Sequence, residues 1–206
     1  TIVKTGLPSM LRQGLASVAT VMLNSAAKEY GDPAVAAVSI VARIFMLVLS
    51  VMLGFGQGYM PVVGFNYGAK RYDRVREALR FAMITGTILL TVLALVGFIF
   101  AGDIITIFRR DDLQVIDIGT VTLRAQCIML PLQATIVLSN MTYQVIGRAW
   151  QATFISSCRQ GVFFIPLILI LPGLLGLFGL QITQAAADLC TFICAVPFMA
   201  HYLRDL

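Results

Sequence analysis

The chain has 206 residues, of which 59% are hydrophobic and only 12% charged, with a mean hydropathy of +0.89 and a formal net charge of +5. Those proportions exclude a water-soluble domain, which has too little interior to hide so much apolar surface, and they make a bilayer the solvent. Segregation of the positive charge into short turns between apolar stretches gives no case for nucleic acid as a partner, and points instead to anionic lipid.

About 20 apolar residues carry a helix across a hydrocarbon core of about 30 Å. By that measure the sequence predicts six crossings, near residues 8–28, 34–62, 78–101, 118–146, 152–171 and 179–202. The expected fold is therefore all-α, a polytopic bundle of six transmembrane helices forming a single unit over 1–206. The first crossing carries Ser9, Gln13, Ser17, Thr20 and Asn24 at helical spacing, so these polar groups share one face. The second repeats the pattern with Ser39, Arg43, Ser50 and Gln57, and ends in Gly54, Gly56, Gly58 and Pro61. The third has no such stripe. In the fourth, Gln126, Gln133, Asn140 and Gln144 follow the same face past Pro131. The fifth contains Arg159 and Pro166, and is parted from the sixth only by Pro172, Gly173, Gly176 and Gly179 within an apolar run. The sixth carries Gln181, Gln184, Asp188 and Thr191.

Lipid cannot satisfy polar side chains, so four polar stripes in six helices are expected to line a hydrated pathway. The same residue types also hydrogen-bond helices together in bundles that transport nothing. The pathway residues expected are Gln13, Ser17, Thr20, Asn24, Ser50, Gln57, Gln133, Asn140 and Gln144. Arg12, Arg124 and Arg159 lie where their side chains can snorkel to headgroups. Arg43 and Asp188 sit deeper, on polar faces and at similar depth, and opposite charges there are expected to pair or to share a wet pocket in which Asp188 titrates.

Lys and Arg favour cytoplasmic turns. With the N-terminus inside, Lys4, Lys70, Arg71, Arg74, Arg76, Arg80, Arg148 and Arg204 are cytoplasmic, and Lys28, Arg109 and Arg110 are outside. Both ends of the chain are then expected in the cytoplasm, with the protein in the plasma (inner) membrane. The chain opens on Thr1 and runs at once into a crossing, as part of a longer protein would. Cys127, Cys158, Cys190 and Cys194 fall within crossings without a ligand spacing, so neither a disulfide framework nor a metal site is expected. A single His201 and the absence of H-E-x-x-H, G-x-S-x-G or a Walker loop leave nothing from which to build an enzyme.

Three segments carry a specific likeness. GLPSMLRQGLASVATVMLNSAA (6–27), GFGQGYMPVVGFNYGAKRYDRV (54–75) and QVIGRAWQATFISSCRQGVFFIPLILILP (144–172) resemble, in order, parts of the multidrug and toxic compound extrusion (MATE) family, in its DNA-damage-inducible-protein-F-like branch. The resemblance covers essentially the whole chain. It implies the C-terminal lobe, helices seven to twelve, of a twelve-helix antiporter that exports cationic, amphipathic drugs by alternating access, with an N-terminal six-helix lobe as its partner. Members that bind sodium in this lobe use acids in the seventh and tenth helices, whereas 8–28 and 118–146 here offer Asn24 and Asn140 instead. The resemblance therefore implies proton rather than sodium coupling and no cofactor. A lipid-linked precursor flippase of the wider superfamily and a non-transporting six-helix scaffold are the alternatives.

Overall fold

A computed structural model of the chain describes the backbone of residues 2–205 and the side chains of residues 14–148 and 150–199. Lys4, Ser9, Arg12, Gln13, His201 and Arg204 fall outside the described side chains. The helices are α1 (Ile2–Lys28), α2 (Asp32–Gly68), α3 (Tyr72–Ile99), α4 (Ala101–Phe108), α5 (Leu113–Val145), α6 (Ala149–Ser157), a π-helical turn (Cys158–Val162), α7 (Phe164–Leu175) and α8 (Leu177–Asp205). Among the described residues five apolar segments are long enough to cross a membrane, with α6, the π turn and α7 together forming one of them. The first crossing corresponds to α1, whose 27 residues span about 40 Å at 1.5 Å per residue.

Helices α2 and α3 outrun the apolar segments expected from sequence. In α3 the added turn is charged, Tyr72–Glu77, and counting apolar residues passes over helix of that kind; in α2 the helix runs on past Pro61 to Gly68. The connection after α3, expected as an outer loop, contains α4. This short helix buries Ala101 and Ile105, and Ile105 sits where a side chain on Gly119 of α5 would be. Asp112 then starts α5 by accepting hydrogen bonds from the backbone N–H of Gln114 (3.1 Å) and Val115 (3.3 Å).

Helix α5 is the spine of the bundle, packing on α2, α3, α4, α6 and α8. One core joins α2, α3 and α5 through Val41, Met52, Val63, Leu79, Leu90, Leu130 and Leu138; a second joins α1, α2, α7 and α8 through Ala19, Ala34, Phe164, Ile168 and Ala187. Apolar transfer from water cannot hold these helices together in lipid, so close packing must, and small residues allow it. Gly86 admits the Met52 thioether and Gly56 that of Met141.

Two interhelical turns on one side of the bundle share a geometry. At the end of α5, Gly147 has φ +80°, the Gly147 N–H bonds Gln144 O (3.3 Å) and the Arg148 N–H bonds Tyr143 O (2.9 Å). At the end of α2, Lys70 has φ +56°, with Lys70 N–H on Tyr67 O (3.0 Å) and Arg71 N–H on Asn66 O (2.9 Å). Both are Schellman closures, but the second puts lysine in the left-handed position that glycine occupies without strain. Lys70→Gly is expected to stabilise the protein by about 1 kcal/mol, read as a raised melting temperature in detergent. An unchanged or lower melting temperature would show that the lysine side chain offsets its backbone strain.

Prolines 61, 131, 172 and 197 lie inside helices that continue through them. The break between the last two crossings falls at Gly176 (φ +61°), within the expected run of Pro172 to Gly179.

Candidate functional site

The four polar stripes divide into two kinds. On α1 and α2, Ser17, Thr20, Asn24, Arg43, Ser50 and Gln57 are exposed from the bundle. Thr20 and Ser50 donate to the carbonyls of Ala16 (2.9 Å) and Met46 (2.8 Å) on their own helices, which leaves their oxygens able to accept. The amides of Asn24 and Gln57 make no hydrogen bond among the described residues. Pro61, lacking an N–H, also leaves the carbonyl of Gln57 without its helical donor. Asn24 and Ser25 line a groove of about 430 Å³ with Val21, Lys28, Asp32 and Val35, where α1 meets the start of α2.

On α5 and α8 the stripe turns inward. Asn140 is buried and donates to Ala152 O (2.7 Å) and Ser156 Oγ (2.5 Å) of α6, while its own oxygen accepts from exposed Gln144. Tyr59 of α2 meets Thr142 at 2.9 Å; Thr142 gives its proton to Leu138 O, so Tyr59 is the donor. Tyr143 donates to Phe198 O (2.7 Å) and Gln181 to Ile118 O (3.2 Å), tying α8 to α5. Gln133 is fully buried, and neither of its amide atoms has a partner among the described residues; the same holds for Ser139 Oγ and Gln126 Oε1. Most of this inner set joins helices, as polar groups do in membrane bundles. Gln133 and Ser139 stand apart as buried groups with hydrogen-bonding capacity to spare.

The expected pairing of Arg43 with Asp188 is corrected by the geometry. Asp188 is buried and holds Arg159, with Arg159 Nε at 2.7 Å from Asp188 Oδ1, while Arg43 lies exposed on α2. Arg159, expected to snorkel, is carried inward by the π turn, whose widened backbone is marked by the bond from Phe163 N–H to Cys158 O (3.0 Å). Pro166 in the first turn of α7 cannot donate to Val162 O, so the α-helical ladder is interrupted where the turn ends. The guanidinium also stacks 5.8 Å from the Phe45 ring centroid, and Gln184 Nε2 approaches Asp188 Oδ1 at 3.3 Å. Asp188 Oδ2 has no partner among the described residues. The antiparallel α7–α8 hairpin brings Arg159 and Asp188 together. Opposite charges on either side of one predicted turn were the available signal, but similar estimated depth favoured Arg43. Tyr59, Thr142 and Ser156 stand outside the expected stripes, and sequence offered no mark of them.

A helical bundle threaded by buried amides and, among the described residues, the Arg159–Asp188 ion pair, with a second polar face open on its flank, defines a polytopic membrane protein. The chain belongs to the MatE family, whose model matches residues 8–170. Among curated proteins it is similar to the multidrug export protein MepA of Staphylococcus saprophyticus (27% identical, covering 99% of this chain and 44% of the relative) and of Staphylococcus haemolyticus (24%, 99% and 44%). The chain thus spans less than half the length of these relatives. Its fold matches a MATE transporter from Vibrio cholerae, VcmN, in the bent form (TM-score 0.88, 23% identity, 96% of this chain and 45% of that one). It also matches a MOP superfamily transporter from Pyrococcus furiosus (TM-score 0.90, 22%, 98% and 46%).

Proposed function

We propose that this chain is the C-terminal lobe of a multidrug antiporter that exports cationic, amphipathic compounds by alternating access, in exchange for protons. The observation that carries the reading is the exposed polar face of α1 and α2. Thr20, Asn24, Ser50 and Gln57 would be costly against lipid, so this face is the one to meet a second lobe across a hydrated cavity. Amides and hydroxyls accept from an alkylammonium without committing to one shape, which suits varied substrates. The multidrug export function in the names of the half-matched relatives supports the same reading.

Proton coupling rests on the lack of a carboxylate among the described residues of α1 within the membrane and in the buried part of α5, and on the commitment of the Asn140 amide to α6. The principal coupling group then belongs to the N-terminal lobe, and Asp188 is a second candidate. Basic residues at the α2–α3 and α5–α6 turns favour a cytoplasmic position for that side, in the plasma membrane.

The test is efflux of a fluorescent cationic dye from pump-deficient bacteria expressing the full-length transporter, with and without a protonophore. Gradient-dependent efflux that falls severalfold in Asn24→Leu/Gln57→Leu, at unchanged surface expression, is the expected result. Efflux indifferent to the protonophore would remove the proton, and none from a well-inserted protein would favour a lipid-linked substrate.

A further inference from the structure

The exposed face of α3 differs in kind from that of α1 and α2. Phe81, Ile84, Ile88, Val92, Leu95 and Ile99 are 52–66% exposed and follow helical spacing along the membrane-spanning length, so this face lies against acyl chains. Continued toward the α2–α3 turn at the same spacing of four, the stripe through Ile88 and Ile84 becomes Arg80 and then Arg76, both exposed. A groove of about 510 Å³ opens there, lined by exposed Arg76 and Arg80 and half-buried Met83, with the core residue Leu79 at its base. Between residues 70 and 80 there are five cations against two acids, Asp73 and Glu77. One of those cations, Lys70, is held in a left-handed conformation that a glycine would adopt more cheaply, so the excess charge is kept at a cost in backbone strain.

We infer that this groove is a binding site for an anionic phospholipid: Arg76 and Arg80 hold the phosphodiester, and the upper acyl chain passes half-buried Met83 onto Ile84 and Ile88. Guanidinium recognises phosphate with paired N–H donors, and the two arginines continue the lipid-facing stripe of Ile84 and Ile88 at the same helical spacing. The order of the groups along the helix, charge first and hydrocarbon after, matches the order within a lipid. The site requires neither transport nor a particular orientation in the membrane, since it faces whichever leaflet the α2–α3 turn occupies.

The experiment is native mass spectrometry of the full-length transporter in detergent, titrated with phosphatidylglycerol, phosphatidylcholine or soluble glycerol phosphate. The intact protein is expected to retain phosphatidylglycerol over phosphatidylcholine, and Arg76→Gln/Arg80→Gln to lower that retention roughly tenfold. Arg109→Gln/Arg110→Gln, which removes two cations at the other end of the bundle, should leave it unchanged. Met83→Glu keeps both guanidinia but charges the floor, and should weaken the lipid while sparing glycerol phosphate. Equal retention by both arginine pairs, equal binding of the two lipids, or tight binding of glycerol phosphate unaffected by lipid would each overturn the proposal. Monodisperse elution and an unchanged melting temperature of every variant establish that a loss reflects binding and not misfolding.

Discussion

Arg159→Gln is expected to be the most damaging single neutralisation in the described part of this chain. It would leave the Asp188 carboxylate, 1% exposed, without its cation in the middle of the bundle. Removing one partner of a buried ion pair costs about 3–5 kcal/mol, because the remaining charge has lost its water and gained nothing. The reverse change, Asp188→Asn, should cost less, since the Arg159 side chain is 17% exposed and retains the Phe45 face. The double variant should recover part of the loss, being neutral at both positions. Melting of the full-length protein in detergent reads all three. Equal effects of the two single changes, or additivity in the double variant, would mean that the ion pair does not govern the local stability. Arg43→Gln is the control: exposed on α2, it should leave the melting temperature where it was, while any change in dye efflux would report a role on the open face.

A comparably large effect is expected from a single methyl group at Gly179. A Cβ there would run into the carbonyl of Leu171 and the nitrogen of Pro172, on the opposite leg of the α7–α8 hairpin. Side chains can rotate out of an overpacked site, but backbone cannot, so Gly179→Ala should reach the upper end of overpacking costs, about 3 kcal/mol or more. The hairpin would have to open, releasing the Tyr30 hydroxyl from Pro172 O (3.1 Å) and moving Asp188 away from Arg159. Folded yield by size-exclusion chromatography should collapse. Gly173→Ala, on the opposite leg beside Pro172 but with nothing within 4 Å of its Cβ position, should be neutral or slightly stabilising. Similar behaviour of the two variants would show that the hairpin legs do not approach as closely as described.

The two predictions share a cause. Gly176 closes the hairpin with a positive φ, Gly179 lets its legs touch, and the π turn directs Arg159 into the space where Asp188 stands. A local widening of the helix thereby places a charge that an uninterrupted α-helix would present in another direction, as π-helical insertions do at functional positions in other helices.

By itself the sequence determined that the protein lives in a bilayer, that its helices run where apolar stretches exceed the hydrocarbon thickness, and that the last hairpin turns between Pro172 and Gly179. These are local properties: hydropathy accumulates along the chain, and a positive φ is tolerated or not by the residue that bears it. The three quoted segments carried the family. Polar stripes were legible as periodicities, because spacing fixes which residues share a face of one helix. What spacing cannot say is which neighbour that face meets. Only the tertiary structure decided that Asn140 turns toward α6 while Gln57 stays open, because α5 is surrounded by helices and α2 lies at the margin of the bundle. Only the tertiary structure gave Asp188 to Arg159 and left Arg43 outside, since depth estimated from residue counts does not contain the rotation of a helix about its axis, and the π turn alters that rotation within a single crossing.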